Sequence, residues 1–270
     1  MLSDITLGQY FPGNSFIHRL DPRTKILATL IYIVAIFFAN TPLTYGLLAG
    51  FAAIVIFVSR LPLGLVFSSL KPIWIIVVLT MLIHMFTAPG ENIVYAWKFL
   101  KVTAEGLDLG IKMAVRLILL LLFSSILTFT TSPIVLTDGI EKLLRPFKAI
   151  GVPAHEMAMM MTIALRFIPT LLEETDRIMK AQTARGADFG SGNILQRMKN
   201  MLPLLVPLFI SAFRRADELA TAMEARCYRG GEGRTRMHEL AYSSRDYVAF
   251  ILVIALAAVL AFLRWGNLVY

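Results

Sequence analysis

A chain of 270 residues that is 57% hydrophobic and only 16% charged, with a mean hydropathy of +0.70, carries more apolar surface than one soluble core of its size would bury, so a bilayer is its natural solvent. The formal net charge of +8 does not point to nucleic acid, because basic residues beside membrane spans hold loops in the cytoplasm and meet anionic lipid. The single cysteine, Cys227, excludes an intrachain disulfide; His18, His84, His155 and His238 are too scattered for a local metal motif, and no cofactor is called for.

The N-terminus opens with Asp4, Gly8, Pro12, Gly13 and His18-Arg19 rather than a basic start and an apolar run. No cleavable signal peptide is expected, and the first span stays as an anchor. A spanning helix needs roughly 20 mostly apolar residues. Five stretches approach that length: about Ile26 to Ala39, Leu43 to Val58, Ile73 to Phe86, Met113 to Thr130 and Tyr247 to Leu263. Arg19, Arg23 and Lys25 precede the first, while Asn40-Thr41-Pro42 after it has no charge, which puts the N-terminus inside. Arg60 and Lys71 then mark an inner loop; Glu91, Lys98, Lys101 and Glu105 mark a mixed outer one. With five spans the C-terminus, after Trp265, ends outside. Asp108, Lys112 and Arg116, one turn apart at the start of the fourth span, read as a snorkelling salt-bridge ladder at the outer boundary.

Between the fourth and fifth spans, Thr131 to Ser244 holds more than half of the Lys and Arg and two thirds of the Asp and Glu. Its pieces read as helices. Leu171, Leu172, Thr175, Ile178, Met179 and Gln182 share one face, with Glu173, Glu174, Arg177 and Lys180 on the other. In a second helix Phe209, Phe213, Ala216, Ala220 and Met223 form the apolar stripe, opposite or flanked by Arg214, Arg215, Asp217 and Glu218. Pro153 suits the start of the first helix and Gly186 its end, Gly190 to Asn193 is a break, and Asn193 can cap the second helix, in which Pro203 and Pro207 favour a bend. The apolar halves, Met157 to Ile168 and Met201 to Ile210, should lie under or dip into the membrane. The fold class expected is all-α, a multi-pass membrane protein with about five transmembrane helices and a cytoplasmic pair of long helices. Its parts are a membrane region at 1–130, a cytoplasmic region at 131–244 and a last span at 245–270.

The two long helices repeat one another at an offset of 41: Asp176, Ala181, Ala184 and Arg185 match Asp217, Ala222, Ala225 and Arg226. An Arg in a last helical turn complements the macrodipole. Small neighbours also leave each guanidinium clear to enter an acidic surface as a bidentate fork. Together with His18-Arg19-Leu20-Asp21-Pro22-Arg23-Thr24-Lys25, Arg166-Phe167-Ile168-Pro169, and the tripeptides Ala184-Arg185-Gly186 and Ala225-Arg226-Cys227, these features make the chain similar to a known family. Over essentially its whole length it resembles the transmembrane coupling (T) components of energy-coupling factor importers, relatives of the cobalt-transport CbiQ proteins. The resemblance implies that the helices are coupling helices on two ABC-type ATPases, with Arg185 and Arg226 each in an acidic groove. It further implies that ATP-driven closure tilts a membrane-embedded substrate-binding (S) subunit, contacted through Met157, Met160, Met161, Leu204, Leu205 and Leu208, to release a vitamin or related micronutrient. The chain itself would be non-catalytic, and substrate choice would reside in the S subunit.

Other readings fail on residues. Gly8 to Ser15 has phosphate-loop glycine spacing but Asn14 where the Lys belongs, and His155-Glu156 is followed by Met159 where a zinc protease needs its second His. Met157 to Met161 reads as an adaptable apolar surface rather than a metal cluster. A secondary transporter with its own substrate pathway, the main alternative, would place charged or broken helices at mid-membrane in corresponding halves, and none is evident. An intramembrane enzyme would need facing acids and histidines in the spans, and these too are missing.

Overall fold

A computed structural model of the chain describes residues 9–88, 93–97, 100–187, 189, 193–231 and 239–266. The chain divides into two compact units: Gly8–Gly139 with Leu240–Tyr270, and a second built on Ile140–Glu239.

In the first unit, Asp21 caps α1 (Pro22–Ile36), its carboxylate accepting from the Arg23 N–H while Pro22 takes the first helical position, where no amide hydrogen is needed. Fifteen residues are short for a span. Tight turns from Phe37, Phe38 and Ala39 back to Val34, Ala35 and Ile36 carry the helical rise on to about 27 Å, just under the ~30 Å of a hydrocarbon core. A capping box of Thr41 and Thr44, with Pro42 between them, starts α2 (Pro42–Ser59). Next come α3 (Leu63–Ser68), a 3-10 turn at Lys71–Ile73 and α4 (Trp74–Thr87). The expected outer loop holds an antiparallel hairpin, β1 (Ile93–Trp97) and β2 (Leu100–Thr103), which charge counting passed over. After it run α5 (Ala104–Thr130) and, from the far end of the sequence, α9 (Ser244–Gly266). Four helical stretches among the described residues are long and apolar enough to cross a membrane: Pro42–Ser59, Leu63–Thr87, Ala104–Thr130 and Ser244–Trp265. The expected first span, α1, falls short by length alone.

Yet α1 is among the most enclosed of these helices. Tyr32 and Ile36 are fully buried against Leu48, Ala52, Leu119, Phe123, Ile126 and Leu260. The Tyr32 ring stacks on Phe123 at 3.8 Å between centroids, and its hydroxyl donates to Leu48 O at 3.0 Å, which satisfies a polar group where no water is at hand. Along α4, Gly106 and Gly110 of α5 let the backbones meet: a Cβ at either would fall 2.8 Å from Met85 O and 2.9 Å from Met81 O. This is small-residue packing at four-residue spacing.

The N-terminal motif ties three helices at one end. Asp246, 1% exposed, accepts from the Asp21 N–H and from the Ser243 N–H, each at 2.8 Å, and so joins the starts of α1 and α9. Asp21 in turn holds the Arg23 guanidinium through both carboxylate oxygens at 2.8–2.9 Å. Burial pushes the Asp21 carboxyl up, but the Arg23 bonds outweigh it and hold it below the ordinary range. Arg23 reaches Leu240 O at 3.2 Å and covers the Tyr242 ring at 3.9 Å. Lys25 Nζ donates to Thr130 O at 2.9 Å and to Thr131 Oγ1 at 3.3 Å, filling carbonyl demand where α5 ends.

In the second unit, the 3-10 turn Arg145–Ile150 that follows α6 (Pro133–Leu144) leads to α7 (Ala154–Ala184) and α8 (Ile194–Ala225). Pro153 sits at the N-cap of α7 as expected, and Asn193 occupies that of α8 without making a side-chain cap bond. Pro169 lies inside α7, and Pro203 and Pro207 inside α8, which runs on through them. Of the expected break at Gly190 to Asn193, 190–192 lie outside the described residues.

Candidate functional site

The repeat seen in sequence is a repeat of stereochemistry. Arg185 caps α7 at φ −88° and ψ 6°, and Arg226 caps α8 at φ −91° and ψ 14°. Each is followed by a left-handed residue, Gly186 at φ 89° and Cys227 at φ 57°. The Ala187 N–H bonds to Gln182 O and Gly186 to Thr183 O; the Tyr228 N–H bonds to Met223 O and Cys227 to Glu224 O. Both ends are thus Schellman motifs with the same pair of bonds. Both arginines are exposed, and neither side chain has a partner among the described residues.

Between the caps, α7 and α8 meet through the Arg215–Glu174 bridge at 2.7 Å and through Gln182, which reaches Pro203 O at 3.5 Å. Moving up α7 from 174 to 182 moves down α8 from 215 to 203, so the helices pack antiparallel. The bridge joins positions 41 apart, the offset of the sequence repeat. Arg185 and Arg226 therefore lie equally far beyond it, each about 16 Å along its own helix, in opposing directions. Sequence reasoning put Glu174 and Arg215 on solvent faces. Their equal offset to the arginine pair was the signal available.

The apolar faces divide differently from expectation. On α7, Leu171, Leu172, Thr175, Ile178, Met179 and Gln182 are half-buried and Glu173, Arg177 and Lys180 exposed, as the periodicity required. On α8 the inward positions include Leu204, Pro207, Leu208, Ser211, Ala212, Arg215, Leu219 and Met223. Of the expected stripe only Met223 turns inward. Phe209 and Phe213 point outward at 60% and 68% exposure and stack on each other, and Ala216 and Ala220 are exposed as well. Of the six residues anticipated as a contact surface, Met157, Met160, Met161 and Leu205 are exposed and Leu208 half-buried. Leu204 is turned inward at 7% exposure and serves the packing of its own unit. Met201, Leu202, Val206 and Ile210 extend the exposed apolar face of α8.

Other sequence candidates find structural work. His155 Nδ1 lies 3.1 Å from Glu141 Oε1, tying α6 to the first turn of α7, and a Cβ on Gly231 would run into its ring. Among the described residues no three His, Cys, Asp or Glu gather as a metal site. The Gly8 to Ser15 window begins outside the described residues, as does His238. The charge ladder of α5 keeps only its first rung, Asp108 with Lys112. Arg116 turns away instead, donating to Ala39 O at 3.3 Å and Tyr45 Oη at 3.1 Å, because the turn between α1 and α2 offers it an orphan carbonyl.

The family model described as cobalt transport protein, CbiQ, matches residues 13–238. The chain is 70% identical over 266 residues to the energy-coupling factor transporter transmembrane protein EcfT of Acidaminococcus fermentans, covering 98% of this chain and 99% of that one. It is 58% identical over 270 residues to the protein of the same name in Clostridium kluyveri, covering 99% and 100%. To the one in Bacillus subtilis it is 48% identical over 264 residues, covering 98% and 100%.

Proposed function

This chain belongs to the CbiQ family, and we propose that, as the transmembrane coupling component of an energy-coupling factor importer, it works through α7 and α8 as a pair of levers. Each lever ends in one arginine, and each arginine docks in an acidic groove on one of two ABC-type ATPase subunits. ATP is bound and hydrolysed by those partners, and this chain is non-catalytic. Closure of the ATPases moves the two helix ends. The motion passes through the Arg215–Glu174 bridge to the exposed methionines of α7 and the apolar face of α8, which hold a membrane-embedded substrate-binding subunit and release its vitamin or related micronutrient inside.

The observation that carries this reading is the equivalence of the two caps: same bonds, both arginines exposed, equal distance from one bridge. Two like partners need two like sockets, and antiparallel packing supplies them. An Arg that served only the macrodipole would need no such match. The test is retention of the ATPases by the purified complex. Removing one partner of a buried, charge-assisted pair costs about 2–5 kcal/mol, against about 1 kcal/mol or less for an exposed pair. Arg185→Ala or Arg226→Ala should weaken assembly and uptake with expression unchanged, and the double variant should lose both ATPases. Lys at either position should restore only part, because it lacks the planar fork. A double variant that copurifies at wild-type level and supports normal uptake sinks the assignment.

A further inference from the structure

We propose that the membrane unit holds one anionic glycerophospholipid, its phosphate among Arg19, Arg60 and Arg245 and one acyl chain in the apolar crevice beside them. A cavity of about 490 Å³ is lined by these three arginines with Asn14, Ser15 and Phe16. A second, of about 240 Å³, runs into the bundle between α1, α2, α5 and α9. Phe16 and Val58 are walls of both, so the basic cavity leads into the apolar one.

The chemistry of the two matches the two ends of a lipid. Arg19, Arg60 and Arg245 are all exposed, and among the described residues none of the three guanidiniums has a partner. Three such forks around one space attract a phosphate, which they bind in bidentate fashion. Arg19 precedes α1, Arg60 follows the last residue of α2, and Arg245 is the second residue of α9. All three therefore stand where spans end, at headgroup level. The crevice beyond is walled by Phe51, Ile54, Phe123 and Leu252, and of these Ile54 and Leu252 also face outward at 63% and 55% exposure. An acyl chain has a lateral way in. Arg60 closes α2 in a left-handed conformation at φ 54°, a place where Gly or Asn costs less, so the guanidinium is kept there against local preference. An acidic peptide would satisfy the arginines but leave the crevice unfilled, which is why lipid is favoured.

The test uses the full chain purified in detergent and reconstituted with phosphatidylglycerol or phosphatidylcholine, with retained lipid counted by native mass spectrometry. The wild-type chain should retain one phosphatidylglycerol in preference to phosphatidylcholine, and free glycerol phosphate should not displace it. The triple variant Arg19→Gln, Arg60→Asn, Arg245→Gln should lose about 100-fold in retention, at about five-fold for each arginine near a headgroup. Asn is chosen at 60 because it tolerates the left-handed backbone. Leu252→Trp, which fills the crevice, should weaken retention with every arginine in place, and Arg→Lys at all three should keep only part of it, because the charge stays and the planar fork goes. Lys71→Gln, a basic residue outside the cavity, should change nothing. No preference for the anionic lipid in the wild type, full retention by the triple variant, or an equal loss from Lys71→Gln would each overturn the site. So would a triple variant that keeps the lipid but sheds a partner protein, since the cavity would then be a protein contact.

Discussion

At the scale of single residues, the two arginine caps differ in one atom group that matters. Gly186 meets nothing within 4 Å of where a Cβ would stand, so its only constraint is its φ of 89°; Cys227 takes the same role at φ 57° with a side chain attached. An L-residue in that region costs roughly 1–2 kcal/mol, and Gly none of it. Cys227→Gly should therefore raise stability by about 1 kcal/mol in denaturant unfolding in micelles, and Gly186→Ala should lower it by a similar amount. ATPase retention should stay unchanged in Cys227→Gly, because the docking group proposed above is Arg226. A loss of stability on Cys227→Gly would mean that the cap is held by the thiol rather than by its backbone bonds.

At the scale of elements, α5 leans on α4 through glycine. Gly106 and Gly110 put carbonyls of Met85 and Met81 where side chains would otherwise stand. Gly110→Ile would press first on the Met81 carbonyl, at 2.9 Å from the new Cβ, which no side-chain rotation can clear. It should separate the helices, cost about 1–3 kcal/mol as overpacking does, and lower the thermal midpoint of the purified chain with Tyr32 and Phe123 untouched. An unchanged midpoint would show that the contact is loose. The sequence made some elements plain and hid others for reasons visible here. α7 reads correctly because its inner face is apolar and its outer face charged. α8 misleads because its inner face holds Ser211 and Arg215 while its outer face holds Phe209 and Phe213, as in a helix whose apolar side awaits a partner or lipid. The glycine pair was hidden by standing among Leu107, Asp108 and Leu109, where it looked like the charged margin of a span. The Ala-Arg repeat was legible because a helix end is local, and its cap needs nothing beyond the last turn.

At the scale of the whole molecule, the spans were visible in hydropathy, but the knot of Asp21, Arg23, Lys25 and Asp246 was not, because it joins residues 225 apart in sequence. That knot also alters the topology argument. Arg23 and Lys25 are engaged with Asp21, Leu240 O and Thr130 O, so their position serves packing as well as the charge rule, and of the three basic residues Arg19 is left freest to follow that rule. The helix in question, α1, is 15 residues long yet runs against α5 from Lys25 at Thr130 to Ala39 at Arg116. Such a helix, packed on one face and open to the apolar phase on the other through Leu30 and Val34, is expected to cross with fewer apolar residues than a lone span needs. Charge counting expects the N-terminus inside, the turn at Asn40 outside and the segment after α5 inside. The segment around Gly190 lies outside the described residues, but Cys227 is exposed and is the only cysteine of the chain, so it serves as a native probe. In intact cells expressing this chain without its ATPases, a membrane-impermeant maleimide should leave Cys227 unlabelled until the membrane is permeabilised. In a Cys227→Ser background, Asn40→Cys should label at once from outside. Gln9→Cys in that background, ahead of α1 and exposed, should label only after permeabilisation. If Gln9→Cys and Asn40→Cys label from the same side, α1 does not cross, four spans remain, and the two termini share a compartment.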